Sequence, residues 1–253
     1  KDVSIKIKAG DNIGLVGHTG SGKSTIANLI TRMYDPITGS IHIDGVDLRK
    51  IKISDIRRNI AIVSQEIFLF RGTIADNIRM GKPDATDEEI VEVINIGEVY
   101  KRPISHLSKG YRQRVGIAQA LISSPDILIF DEPTVGLDPR QIMEIRSLIN
   151  SLGKSHTVIL STHILPEVKA VCDRVVIINK GQLVADAKTD ELEAVTGQRK
   201  MMVKVCGPRE EVLPALKGIN GVTAASVLPE RDADSFSYLV EADTNVDIRK
   251  PLF

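Results

Sequence analysis

Three features of the sequence predict an α/β fold with a mostly parallel central sheet. Short apolar runs rich in β-branched residues recur along the chain, and segments with helical spacing of apolar residues separate them. Polar or glycine-rich residues follow several of these runs directly, as happens where the strands of a parallel sheet end. The 253 residues, 42% apolar and 26% charged, suffice for one large domain with a small appendage.

The predicted strands and helices alternate along the first part of the chain. Apolar residues at helical spacing from Ile26 to Met33, and from Ile142 to Leu152, predict helices that lay one face on the sheet. Asn179-Lys180-Gly181 predicts a hairpin turn between two short antiparallel strands. The strands of the sheet are predicted near residues 13–17, 60–63, 126–130, 157–161 and 174–178.

Two further segments depart from this alternation. Residues 73–122 are mainly helical by their spacing and predict a helical subdomain, in which Thr86 and Glu89 fit a capping box. After residue 198 the pattern changes to strand, helix and strand, which predicts a small α+β unit. We therefore predict a first domain over residues 1–198 and an accessory unit over 199–253.

The composition excludes several classes of function. Lys and Arg total 33 and Asp and Glu also total 33, so the net charge is zero and nucleic acid is not an expected partner. The longest apolar runs have four residues, far short of the roughly 20 that span a bilayer. Any membrane span is therefore expected from a partner. Cys172 and Cys206 stand among apolar neighbours, and we expect both to be buried, reduced thiols.

A glycine-rich segment after the first predicted strand matches the phosphate-loop pattern and opens a predicted helix. Backbone N–H groups of such a loop surround phosphate oxygens, Lys23 reaches the β and γ phosphates, and Ser24 ligates Mg²⁺. The alternative, a plain glycine turn before a helix, requires neither Lys23 nor Ser24. The fold class is thus predicted to be a P-loop NTPase. The loop consists of Gly17, His18, Thr19, Gly20, Ser21, Gly22, Lys23 and Ser24.

Polar residues at the ends of three other predicted strands are candidates for the chemistry. Asp131 and Glu132 end an apolar strand, and successive side chains point in opposite directions, so the two acids can differ in role. Asp131 is the candidate Mg²⁺ ligand with Ser24, and Glu132 is the candidate base that polarises the attacking water. His163 is placed to sense the γ phosphate. Gln65 is placed to complete the shell of Mg²⁺ and water.

A second helix start offers another anion site. Ser108 is a plausible cap of the helix predicted over 110–122, with Gly110 in its first turn. Such a site makes sense if it serves a nucleotide held by another copy of the chain. An ordinary helix cap remains the alternative.

These motifs together resemble the nucleotide-binding domain of ATP-binding cassette (ABC) transporters over residues 1–198. The resemblance implies that ATP and Mg²⁺ bind between Walker A of one subunit and Ser108 and Gly110 of the other, in a homodimer or paired cassette. It also implies a transmembrane permease subunit or domain, and a cytoplasmic location at the inner face of the membrane. Residues 17–25, which include Thr25, match Walker A, and Gln65 matches the Q-loop. Residues 107–111 match the family motif, and residues 127–132 match Walker B. Residues 136–138, which include Asp138, match the D-loop, and His163 matches the switch histidine.

The resemblance divides between two branches of the family. Residues 1–95 are similar to exporters whose cassette is fused to its own transmembrane domain, whereas residues 105–253 are similar to ATP-binding proteins of ABC-2-type exporters. We expect a hybrid joined near 92–104, with a shortened helical subdomain and an accessory unit truncated at Phe253. The leading function is an ATP-hydrolysing exporter subunit. The alternatives are a soluble cassette ATPase without transport, or a cassette that binds ATP with little turnover.

Overall fold

The computed structural model describes residues 3–94, 100–191, 199–232, 235–243, 246 and 248. By its internal contacts the chain divides into a first unit, Lys1–Thr189, and a second unit, Asp190–Phe253. The predicted boundary at 198/199 adjoins residues 192–198, which lie outside the described residues, so that boundary stays a prediction. Part of the expected join, residues 95–99, also lies outside them.

A six-stranded sheet forms the centre of the first unit. Its order is β4-β5-β6-β1-β7-β8, in which the first five strands are parallel and β8 runs antiparallel to β7. This confirms the mostly parallel sheet with an antiparallel part, and each predicted strand lies within one residue of its expected ends. The strands are β1 (Asn12–Val16), β2 (His42–Ile43), β3 (Val46–Asp47), β4 (Ile60–Val63), β5 (Ile127–Asp131), β6 (Thr157–Thr162), β7 (Arg174–Asn179) and β8 (Gln182–Lys188), with β2 and β3 forming a separate pair.

Helices cover this sheet, and one of them differs from its prediction. Met33 was expected on the face that packs against the sheet, but α1 ends at Ile30 and Met33 is 61% exposed. The helix stops because Arg32 adopts a left-handed φ of 52°. The helices are α1 (Lys23–Ile30), α2 (Ile53–Asn59), α3 (Ile74–Arg79), α4 (Asp87–Ile94), α5 (Lys109–Leu121), α6 (Pro139–Leu152) and α7 (Leu165–Val171).

The core of the first unit is formed by the apolar strands themselves. Ile13, Ile129 and Phe130 are completely buried, as expected for central parallel strands covered on both faces. Helix α7 approaches β1 very closely at Gly14, where an added Cβ would lie 2.1 Å from Val168 Cγ1. Only glycine therefore fits at this position of β1.

A second apolar cluster lies among α3, α4 and α5. Ile74, Ile78 and Ile90 are completely buried in it. The expected capping box is present: the Thr86 N–H donates to Glu89 Oε2 (2.9 Å) and the Glu89 N–H donates to Thr86 Oγ1 (3.3 Å). Residues 73–122 thus contain three helices, α3, α4 and α5, which turns and irregular segments join wherever the structure describes them.

The second unit is a three-stranded antiparallel sheet with one helix. The sheet order is β10-β11-β9, and a completely buried Tyr238 lies in its apolar cluster. The prediction included β9, α8 and β11 but not the long strand β10. The elements are β9 (Arg199–Cys206), α8 (Arg209–Gly218), β10 (Val222–Asp232) and β11 (Ser235–Ala242).

The two cysteines have different environments. Cys172 is buried as expected, and burial raises the pKa of its thiol to about 12. Cys206 is exposed, so the prediction for it was wrong. It follows Val205 on β9, whose side chains alternate between partly buried and exposed, and falls on the exposed side.

Candidate nucleotide site

Four adjacent parallel strands end at one edge of the sheet. Because β4, β5, β6 and β1 are neighbours and run in the same direction, the segments that follow them meet at that edge. The predicted site residues Gln65, Glu132, His163 and Lys23 lie in or next to those four segments. The sheet order therefore brings together residues that are up to 140 positions apart in the sequence.

The glycine-rich loop folds tightly between β1 and α1. The Ser21 N–H donates to His18 O (3.0 Å), and Gly20 and Gly22 adopt φ of 79° and 111°, where side chains are strained. A Cβ at Gly17 would lie 2.3 Å from Ile178 O. The loop conformation therefore depends on its glycines.

Lys23 is the first residue of α1 and is held inside this loop. Its side chain is only 6% exposed, and Nζ donates to Gly17 O (2.7 Å) and His18 O (3.3 Å). Both bonds fix the ammonium at the mouth of the loop. A positive charge here, next to backbone N–H groups at the start of a helix, suits a phosphate group.

The hairpin between β7 and β8 supports the loop from behind. Lys180 and Gly181 adopt φ of 49° and 73°, the two positive values that define a type I′ turn. The Gly181 N–H donates to Ser21 O (2.9 Å). The sequence predicted the hairpin, but not its contact with the loop.

Glu132 occupies the centre of the site. Its φ is 50°, a left-handed conformation that is uncommon for glutamate, and its N–H donates to Ser161 O (2.8 Å). Its side chain is 11% exposed, with Oε1 3.6 Å from Lys23 Nζ and Oε2 2.9 Å from His163 Nδ1. The carboxylate thus links the loop after β1 to the end of β6. The positive φ of Glu132 is a strained backbone conformation, and such strain in residues other than glycine is frequent at functional sites.

Oxygen atoms suited to a magnesium ion lie on the same edge. Asp131 Oδ1 accepts a hydrogen bond from Ser161 Oγ (2.7 Å), Ser24 is exposed in the first turn of α1, and Gln65 is exposed two residues after β4. Ser21 Oγ is buried without a hydrogen-bond partner, so a polar atom of the loop is unsatisfied by the protein. A hydroxyl, a carboxylate and an amide oxygen fit the preference of Mg²⁺ for few protein oxygens plus phosphates and water.

The second predicted anion site lies at a different place. Ser108 Oγ accepts a hydrogen bond from the Tyr111 N–H (3.4 Å), which confirms the expected cap of α5. A Cβ on Gly110 would lie 2.5 Å from the Gln141 side chain, so its contacts are with α6. Asp138 caps α6 through the Gln141 N–H (2.9 Å). Among the described residues, no hydrogen bond or ion pair joins Ser108, Gly110 or Asp138 to the loop 17–25.

One buried hydrogen-bond network next to the site was missed by sequence reasoning. Glu167, on α7, is 2% exposed and accepts hydrogen bonds from Thr134 and Thr162. Thr134 lies two residues after Glu132, and Thr162 directly precedes His163. No motif marks these residues, and the bond to Thr134 spans 33 positions. Only the fold brings them together.

One known protein family matches this chain over more than half of its length. A family model described as "ABC transporter" matches residues 1–135, which is more than half of the chain. The chain belongs to the ABC transporter family. This family consists of ATP-hydrolysing transport enzymes, and ATP is its ligand.

The relatives of this cassette include exporters of several kinds. The cassette is 37% identical over 216 residues to the uncharacterized ABC transporter ATP-binding protein YknV of Bacillus subtilis, an alignment that covers 80% of this chain and 36% of that protein. It is 35% identical over 212 residues to an ATP-dependent lipid A-core flippase of Syntrophus aciditrophicus, covering 78% and 35%. The chain therefore spans about a third of the length of these relatives.

A solved structure confirms the fold class. The chain is similar to a bacterial Atm1-family ABC exporter determined with ATP bound, with a TM-score of 0.71 and 32% identity. The match covers 77% of this chain and 36% of the exporter chain. Within the described part of the cassette, no helix is long and apolar enough to cross a membrane.

Proposed function

We propose that this chain is the ATP-binding and ATP-hydrolysing part of an ABC exporter and powers transport by ATP-driven dimerisation. The observation that supports this most strongly is the convergence of Lys23, Glu132 and His163 at one sheet edge, with Glu132 within 3.6 Å of Lys23 and 2.9 Å of His163. The exporters among the relatives support transport as the use of this site.

Each residue has a proposed role in hydrolysis. Lys23 and the backbone N–H groups of the loop bind the phosphates of ATP, with His18, Thr19 and Thr25 at its exposed rim. Ser24, Asp131 and Gln65 would hold Mg²⁺, which would neutralise charge on the phosphates. Glu132 accepts the proton of the attacking water.

His163 orients the base. Its Nδ1 is within hydrogen-bond distance of Glu132 Oε2, which leaves Oε1 on the side of Lys23 and the phosphate loop. A base held on one oxygen can present the other, which lies 3.6 Å from Lys23 Nζ, to a water molecule. Such orientation contributes to catalysis by reducing the freedom lost at the transition state. This arrangement uses only groups of this chain.

The site around Ser108, Gly110 and Asp138 is proposed to act on a nucleotide held by a second cassette. Support comes from its separation from the loop 17–25 and from the start of the 13-residue helix α5 at Lys109, where backbone N–H groups favour an anion. Two cassettes arranged head to tail would each complete the other's site. A homodimer or a paired cassette satisfies this requirement.

The permease is proposed to be a separate subunit or a further domain, which would place the cassette in the cytoplasm at the inner face of the membrane.

We also propose the ABC-2-type assignment for residues 105–253, supported by segments 107–114 and 161–168 and by the appended α+β unit. Alignments that cover about 80% of the chain necessarily cross positions 92–104, so single natural ABC proteins match both sides of the expected join, which counts against a hybrid. The domain bounds 1–198 and 199–253 remain part of this proposal.

The test is phosphate release at saturating Mg-ATP over a range of protein concentrations. We expect Glu132→Gln to bind ATP but stop turnover, Lys23→Ala to lose binding, and Ser108→Arg to bind ATP without turnover because it blocks pairing. Glu92→Gln, an exposed change on α4, is the matched control and should behave like the parent. Turnover that persists in Glu132→Gln would refute the base, and turnover that persists in Ser108→Arg would refute the shared site.

A further inference from the structure

Glu167 is a buried acid that has no role in the site described so far. The residue is 2% exposed, and an isolated charge at such a position is costly unless hydrogen bonds and an opposite charge compensate it. Among the residues that the structure describes, it has three partners, each from a different segment. They are Thr134 Oγ1, which donates to Oε1 (2.8 Å), Arg146 Nη2, which donates to Oε1 (3.2 Å), and Thr162 Oγ1, which donates to Oε2 (2.9 Å).

The bond to Thr162 fixes the turn that presents His163. Thr162 is completely buried at the end of β6, and its Oγ1 also accepts a hydrogen bond from the Ile164 N–H (3.2 Å). One hydroxyl therefore ties the backbone after His163 to the residue before it and to Glu167. The His163 side chain is 47% exposed and is bonded to Glu132, so the turn determines the direction from which it reaches that carboxylate.

The bond to Thr134 fixes the segment that carries Glu132. Thr134 is 6% exposed and lies two residues after Glu132, within a turn where the Val135 N–H donates to Glu132 O (3.3 Å). The two oxygens of Glu167 thus contact the two segments whose side chains form the 2.9 Å bond between Glu132 and His163. Arg146 compensates the charge from α6.

We infer that Glu167 is a positioning residue, which holds the Glu132 segment and the His163 segment at the separation that their hydrogen bond requires. The relevance to turnover rests on the proposed function; the structural effect on His163 does not. Lys23 and the phosphate loop make no contact with this network among the described hydrogen bonds. Loss of Glu167 should therefore lower kcat and leave the KM for ATP unchanged.

The first test compares two substitutions of Glu167 in the full chain. Glu167→Ala removes all three bonds, and we expect kcat to fall about tenfold or more with KM within about twofold. Glu167→Gln retains groups that bond to both threonines, so it should restore kcat to within about threefold of the parent. Val171→Ala on the same helix is the matched control: it removes buried apolar atoms but no polar contact, and should keep kcat.

A second variant covers the case in which Glu167→Ala does not fold. Thr162→Val has nearly the same shape and removes only the hydroxyl that joins Glu167 to the His163 turn. It should lower kcat as Glu167→Ala does, without loss of ATP binding. A folded Thr162→Val or Glu167→Ala that keeps the kcat of Val171→Ala would overturn the inference.

The second readout does not require turnover. In protein labelled with ¹⁵N-histidine, the Nδ1 resonance of His163, assigned by its loss in His163→Gln, reports the bond to Glu132. It should shift in Glu167→Ala and Thr162→Val toward its position in Glu132→Ala, and should stay at the parent position in Val171→Ala. If the parent hydrolyses no ATP, the proposed function fails while this spectrum still decides the role of Glu167; an unmoved resonance refutes it.

Discussion

Replacement of Gly14 by alanine should destabilise the first unit through a single contact. The new Cβ would lie 2.1 Å and 2.6 Å from the two γ carbons of Val168, whereas carbon atoms in contact normally lie about 3.5–4.0 Å apart. Either α7 or β1 must move by more than an ångström. Because α7 carries Glu167 and β1 leads into the phosphate loop, the movement would disturb both parts of the site.

The size of the effect of Gly14→Ala follows from two contributions. Overpacking of a rigid core costs about 1–3 kcal/mol, and this contact lies at the upper end of that range. Replacing a strand glycine regains about 0.5–1 kcal/mol of conformational entropy, which leaves a net loss of about 2 kcal/mol. Val168→Ala alone removes two methyl groups from a completely buried side chain and should also cost about 2 kcal/mol.

The double variant is the informative measurement. Val168→Ala removes the γ carbons that Gly14→Ala would strike, so the two losses should not add: about 2 kcal/mol is expected for the pair instead of about 4. The sequence contains no Trp, so hydrogen exchange of peptides from β1 and α7 at increasing urea is the appropriate assay, and it also separates this unit from the second. Additive losses, or a Gly14→Ala variant as stable as the parent, would refute the close contact.

Two further predictions concern the cysteines and acid stability. A thiol reagent at pH 8 should modify the exposed Cys206 quickly and the buried Cys172 only after unfolding, because burial raises the pKa of the Cys172 thiol to about 12. Equal labelling of both cysteines in the native protein, measured by mass spectrometry, would contradict this prediction. The hydrogen bonds that Glu89 accepts from Lys82 and from the Thr86 N–H lower its folded-state pKa below the usual value of 4.5. The ionised Glu89 carboxylate therefore stabilises α4 fully above pH 4.5, and this stabilisation is lost as the pH falls through the lower folded-state pKa. Hydrogen exchange of α4, corrected for intrinsic rates, should show this loss in the parent and a smaller one in Glu89→Gln; equal losses would exclude it.

Much of the fold was predictable because the central strands are continuous apolar runs. Such runs occur where a parallel strand is buried on both faces, and the residues after them identify the sheet edge that holds the site. The convergence of Glu132 and His163 at one edge agrees with the prediction made from their places after two strands.

The elements that were not predicted have weaker local signals. Helix α7 has only seven residues, with Pro166 in its first turn and two buried apolar residues, Val168 and Val171. Strand β10 contains Thr, Ala and Ser where an apolar run would be expected, and exists because it pairs with β11. The Glu167 network depends on side chains from separate segments, so no local pattern could indicate it.

The order of the strands has a consequence for synthesis of the chain. The strand β1 leaves the ribosome before its partners β6 and β7, which are encoded roughly 150 residues later, since Asn12 pairs with Val158 and Ile13 with Arg174. At about 5–20 residues per second, β1 remains without both neighbours for roughly 7–30 s. Its buried apolar residues are exposed during that time. A nascent cassette therefore presents to chaperones the very strand that leads into the phosphate loop.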